Sequence, residues 1–196
     1  MKKLTVLIDM DDTIECLLDA WIDALNKKYG RNVDPQEVND WDVLKFYPGL
    51  SNNNLYSVFR EEDFWDKVVP KGEAVEYVRK IMDDGHDVLI VTSSYYDDIG
   101  RKMRKVLFKW FPYIPWRNVI VASRKQMIRG DVLIDDGVHN LVGGAYAKIL
   151  MEAPHNRAYD AEGNGMIRVK TWPEAYREVK NLAFEAEYTE VSRKSY

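Results

Sequence analysis

Asp9, Asp11 and Asp12 follow directly on the apolar run of residues 4–8, in the stretch DMDDT. Like charges that close together repel and raise each other's pKa unless a cation compensates them. Asp9 and Asp11 share a side if the chain stays extended, because a strand has a period of two. Later apolar runs end in polar groups of a related kind. LIVTSS carries Thr92 and Ser93, DVLIDD ends in Asp135 and Asp136, and Lys125 lies in the loop before the second of these. Each group alone has a plain reading: acids make turns, strand-end hydroxyls cap helices, and lysines are mostly solvated. An acid, a hydroxyl, a base and an acid pair, in that order at strand ends, are improbable as accident. The chemistry open to such a set is cation-assisted.

Parallel strands must position these groups, since in an open α/β sheet ligands sit at the carboxyl ends of the strands. Residues 4–8, 87–91, 118–122, 131–134, 148–151 and 167–169 read as short strands, most of them continuous apolar runs fit for burial on both faces. Between them, helical spacing marks residues 16–29 closed by Gly30, 73–84 closed by Gly85, and 101–111 stopped by Pro112. A last helix is expected near Pro173 with Thr171 as its cap. The alternation implies an α/β, Rossmann-like parallel sheet. Residues 31–70 break it. DPQE at 34–37 reads as a capped helix start, and SNNNLYSVFREEDFW as a second short helix. The expected organisation is a core of residues 1–30 and 71–185, a small helical cap inserted at 31–70 after the first strand–helix unit, and a polar tail at 186–196.

The 196 residues suit one domain with a modest insertion, and 46% hydrophobic and 12% aromatic residues supply a core. A net charge of −4 without a basic block argues against long nucleic acid. The lone Cys16 precludes an internal disulfide and points to a reducing cytoplasm. No apolar stretch approaches a membrane span, and Asp9 ends the first run too early for a signal peptide. His86, His139 and His155 show no metal-ligand spacing, so zinc is not expected; APHNR at 153–157 reads as a loop near the site.

On these residues the chain resembles the haloacid dehalogenase-like superfamily of phosphatases, from Lys3 to about Leu182. D-x-D-x-T fits Asp9, Asp11 and Thr13; a strand-ending hydroxyl fits Thr92; Lys125 and the pair Asp135–Asp136 complete the set. DMDDT, LIVTSSY, DVLIDD and APHNR further resemble the 5'(3')-deoxyribonucleotidases in order and spacing. Asp12, where Gly is common, departs from the superfamily, and its role reads as structural. Leu17 stands where mammalian nucleotidases place a base-contacting Phe.

The resemblance implies a phosphomonoesterase acting on (deoxy)nucleoside monophosphates. Asp9 would be the nucleophile, forming an aspartyl-phosphate, already ionised at neutral pH. Asp11 would be the general acid and then base. Thr92, Ser93 and Lys125 would hold phosphoryl oxygens. Mg²⁺ would neutralise the phosphate, held by Asp9, the Asp11 carbonyl and Asp136, with Asp135 open as ligand or supporting partner.

Seven aromatics lie between Trp41 and Trp65. Most must fill the cap's own core, but one or two could stack a base. Phe46, Tyr47 and Trp65 are the candidates that the resemblance implies. The expected partner is a small-molecule nucleotide, with a homodimer left open. A phosphatase for another small phosphate, or a phospho-accepting receiver-like module, are the alternatives. A receiver carries its acceptor Asp on a middle strand of the sequence and has no use for an aromatic insertion.

Overall fold

The computed structural model describes residues 1–94 and 96–194. Six parallel strands form one sheet: β1 (Thr5–Ile8), β2 (Asp87–Thr92), β3 (Val119–Val121), β4 (Val132–Asp135), β5 (Ala147–Met151) and β6 (Ile167–Val169). Their order is β3-β2-β1-β4-β5-β6. β1 pairs with β2 through Thr5↔Asp87 and with β4 through Val6↔Val132. The chain therefore builds outward from β1 on one side, then crosses back to start β4 on the other. That reversal opens a crevice at the carboxyl ends of β1 and β4.

The central strands β1 and β4 are buried because both faces are covered, whereas the edge strand β3 has no buried residue. Val6, Ile8, Ile90 and Ile134 point into one apolar cluster, whereas Leu7, Val91, Leu133 and Leu150 point into another. Alternate residues of one strand thus serve opposite faces. The larger cluster takes in the helices α1 (Leu17–Tyr29), α3 (Ala74–Asp83) and α7 (Trp172–Lys194). Gly30 closes α1 at φ 62° and donates to the Asn26 carbonyl, the left-handed C-cap that glycine adopts without Cβ strain.

Residues 31–70 contribute no strand. They form α2 (Asn52–Ser57) and single 3₁₀ turns at Pro35–Glu37, Val43–Phe46, Val58–Arg60 and Phe64–Asp66. Ser51 and Asn54 close a reciprocal capping box at the start of α2. Asp34 accepts from the Gln36 N–H at 2.8 Å, but DPQE makes only one turn instead of a helix. The segment leaves and re-enters the core at neighbouring points, since Lys71 N donates to Ile14 O and Cys16 N to Val69 O, both at 2.9 Å.

Two boundaries differ from the sequence expectation. The helix expected at 101–111 starts earlier, as α4 (Tyr96–Lys102), and continues through a π turn (Met103–Leu107) into α5 (Phe108–Trp110). Asp97 and Asp98 in the first turn of α4 complement the helix dipole there. The polar tail is helical: α7 runs to Lys194, and the N-terminal ammonium and Lys2 meet Glu187 and Glu190 at 3.1 and 3.5 Å. Ser195 and Tyr196, the end of the expected tail, lie outside the described residues, as does Tyr95 of LIVTSSY. The short helix α6 (Val138–Leu141) follows β4. Among the described residues no helix is long and apolar enough to cross a membrane.

Candidate active site

Asp9 leaves the end of β1 with its N–H bonded to the Ile134 carbonyl of β4 at 2.9 Å, which ties the first acid to the strand carrying the last pair. Lys125, 1% exposed, reaches between them: Nζ lies 2.5 Å from Asp9 Oδ1 and 2.7 Å from Asp135 Oδ2. The other Asp135 oxygen accepts from Gly137 N at 2.8 Å and Asn140 Nδ2 at 3.0 Å. Both Asp135 oxygens are therefore spoken for. Asp136 is freer, with Oδ1 3.3 Å from Thr13 Oγ1 and Oδ2 3.1 Å from His155 Nε2.

Carboxylate oxygens of Asp9, Asp135 and Asp136 lie within 4.8 Å of one another, and all three residues are buried. Burial pushes the Asp9 carboxyl well above the usual range; Lys125 opposes this, and Asp135, Asp11 and Asp136 add to it. This modifies the expectation that Asp9 is simply ionised at neutral pH. In this pocket Lys125 alone leaves a deficit of positive charge. Hard oxygen donors, crowded and short of positive charge, fit a divalent cation such as Mg²⁺.

Sequence reasoning missed Lys102. It stands at the junction of α4 and the π turn, 1% exposed, with Nζ 2.5 Å from Asp11 Oδ1 and donating to Thr92 Oγ1 at 3.0 Å. Burial pushes Asp11 up, but Lys102 and a hydrogen bond with Glu15 outweigh it and hold the carboxyl below its usual value. Glu15 is fully buried, and among the described residues no donor meets either of its oxygens. Burial, then Asp11, drive its pKa well up. Of the two acids, Glu15 is the one whose surroundings favour the protonated form. Nothing local in the sequence marks Lys102, because its role depends on α4 crossing the end of β2.

Asp12 adopts φ 52°, the left-handed region that favours glycine. Its Oδ1 accepts from the Leu18 N–H at 3.0 Å and so satisfies an open donor in the first turn of α1. Lys71 Nζ donates to the Asp12 carbonyl at 2.5 Å. Burial, then Asp136, push the Asp12 carboxyl up to about 7.

A cavity of about 830 Å³ opens over these groups, within the size range of small-molecule sites. Asp9, Asp11, Ser93, Lys102, Lys125 and Asp136 form its polar end. Phe59 and Trp65 from residues 31–70, with Leu17 and Trp21, line it with apolar groups, and Trp41 lines it beside His139 and His155. Thr92 is fully buried beneath Lys102.

The three candidate base contacts divide. Trp65 lines the cavity, although only 2% exposed, with its indole N–H donating to the Phe59 carbonyl at 3.1 Å. Tyr47 does not line it. It is fully buried in the packing of residues 31–70 on α1, with its hydroxyl 2.9 Å from Asn26 Oδ1. Phe46 is half-buried against the core and also lies off the cavity. Both pack within residues 31–70 and against the core. Trp41, another aromatic of residues 31–70, is 58% exposed and meets His139 and His155 edge-on at 4.6 and 4.8 Å.

Over residues 2–184 the chain matches the family described as "5' nucleotidase, deoxy (Pyrimidine), cytosolic type C protein". A 5'(3')-deoxyribonucleotidase of Bacillus subtilis (strain 168) is 33% identical over 181 residues, spanning 91% of this chain and 99% of that protein. A 5'(3')-deoxyribonucleotidase of Clostridium acetobutylicum is 29% identical over 178 residues, spanning 89% and 94%. A solved HAD family hydrolase from Deinococcus radiodurans R1, with bound phosphate and sodium, aligns with a TM-score of 0.59 at 15% identity, over 91% of this chain and 95% of that one. That likeness shows the fold, which is haloacid dehalogenase-like. By its fold and its relatives, the chain belongs to the deoxy-type 5' nucleotidase family of phosphoric monoester hydrolases.

Proposed function

We propose that the chain dephosphorylates (deoxy)nucleoside monophosphates through a phosphorylated Asp9. The observation that carries this reading is one cavity that joins the Asp9–Lys125–Asp136 end to the aromatic cluster of Trp21, Phe59 and Trp65. A phosphate monoester fits the first and a nucleobase the second. Asp9 would bond to phosphorus as the ester P–O bond breaks, and Asp11, which would have to take up a proton in the substrate complex, would pass that proton to the leaving alkoxide. Asp11 would then take a proton from the water that cleaves the aspartyl-phosphate, releasing inorganic phosphate and restoring Asp9. Lys125 and Ser93 would hold phosphoryl oxygens while charge redistributes. Mg²⁺, held by Asp9, the Asp11 carbonyl and Asp136, would neutralise the phosphate dianion. Asp136 suits a ligand role better than Asp135, whose oxygens are engaged by Lys125, Gly137 and Asn140.

The test compares a nucleoside monophosphate with ribose 5-phosphate, which offers the same leaving group and no ring. A stack of about 1–3 kcal/mol should give the nucleotide a kcat/KM about 5- to 150-fold higher. Trp65→Leu should narrow that ratio and leave sugar phosphate hydrolysis nearly unchanged. Equal kcat/KM for both substrates in the wild type would leave a phosphatase without nucleotide preference.

A further inference from the structure

Asp136 is gripped from several sides. Its main-chain N–H donates to Thr13 Oγ1 at 3.1 Å, and Asn156 Nδ2 donates to its carbonyl at 2.9 Å. Thr13 also approaches Oδ1, so one oxygen of the carboxylate is steadied from the β1 side. Only His155, 9% exposed at its side chain, approaches Oδ2 among the ion pairs and side-chain hydrogen bonds of the described residues. Its Nε2 stands at 3.1 Å but is aimed off the line of a good hydrogen bond, so this buried nitrogen has no linear partner among the described residues. Trp41 packs against the same imidazole with planes at 89°, and against His139 at 75°. A residue of the inserted segment is thereby in contact with the group that touches the last acid of the site.

We propose that His155 is a positioning residue that fixes the rotation of the Asp136 carboxylate for a divalent cation, with Trp41 holding the imidazole in place. This rests on the reading of Asp136 as a metal ligand. The physical ground is that the terminal torsion of an Asp is a broad rotor, which must be narrowed before both oxygens face defined partners. Groups that orient a metal-ligating side chain typically control 10- to 100-fold in affinity. Thr13 narrows the rotor from one oxygen and His155 from the other. The ring contact adds a less expected consequence: an aromatic lining the substrate cavity contributes to metal affinity without touching the metal.

The experiment titrates MgCl₂ alone into the metal-stripped full-length chain by calorimetry, with melting temperatures taken in EDTA. His155→Leu should weaken Mg²⁺ binding about 10- to 100-fold, while His155→Gln, which can still present an N–H, stays within about threefold. Trp41→Leu should weaken binding by a smaller factor, about 3- to 10-fold, by freeing the ring. A wall-packing role for His155 would instead lower the melting temperature in EDTA and leave Mg²⁺ affinity unchanged. Wild-type affinity in His155→Leu, or a Gln variant as weak as the Leu variant, would overturn the proposal. Absence of Mg²⁺ binding by the wild type would overturn the metal-ligand reading itself and this inference with it. The two failures are thus distinguishable, and Trp41→Leu keeps the test open if His155→Leu does not fold.

Discussion

Lys102→Met removes the one cation that pairs with Asp11 at 2.5 Å, and its consequence for stability should depend on pH. Met keeps most of the buried volume and removes the charge. Stranding a buried carboxylate costs about 3–5 kcal/mol. Asp11 retains 29% of its side-chain exposure, so the low end of about 3 kcal/mol applies. For a chain of this size that is about 6–12 °C in melting temperature.

Asp11 has a second way out, which is to take a proton. Relative to an unfolded pKa near 3.9, protonation costs about 1.4 kcal/mol per pH unit. At pH 7.5 that route costs about 5 kcal/mol, so the variant keeps the stranded charge and the full penalty. At pH 5 it costs only about 1.5 kcal/mol, and the penalty is capped there, near 3–6 °C. The sign agrees with the wild type. Lys102 holds the Asp11 carboxyl low, so the stability from this pair is present above the unfolded pKa and is lost as pH falls through the folded one. Melting curves of wild type and variant in EDTA at pH 5.0 and 7.5 give the answer. A gap that fails to shrink at pH 5.0, or no gap at either pH, would refute a buried Lys102–Asp11 pair.

Asp9→Asn should leave the fold intact and abolish turnover, because it keeps the shape of the side chain and removes the attacking oxygen's charge; a folded variant with a tenth of wild-type activity would contradict the assignment. Glu15→Gln should mimic the protonated Glu15 that burial and Asp11 favour. Since the folded pKa of Glu15 is raised, wild-type stability falls relative to the variant above pH 4.5, at about 1.4 kcal/mol per pH unit until the folded pKa is reached. Melting temperatures at pH 5 and 8 check this, and a difference constant with pH would mean that Glu15 is not held neutral.

The sheet was legible in the chain because its determinants are local. A short apolar run suits a strand covered on both faces, and all six segments that read as strands became strands. Asp9, Lys125 and Asp136 were legible for a related reason: a strand end or adjoining loop places its polar residues in the crevice whatever the packing detail, and the structure brings these three together. Asp12 is an intermediate case. Its turn could be read, but its bond to the α1 N–H could not.

What tertiary packing alone decided is which side chains of the helices and of the inserted segment turn towards that crevice. Phe46, Tyr47 and Trp65 are equally aromatic in sequence, yet only Trp65 lines the cavity, because the others fill the space against α1 and the core. Lys102 became the partner of Asp11 through the crossing of α4 over β2, and Trp41 met His155 across the gap between insertion and core. Strand ends converge by backbone geometry, which the local pattern encodes. Contacts between separate elements depend on the packing of every side chain between them, which no short stretch of sequence contains.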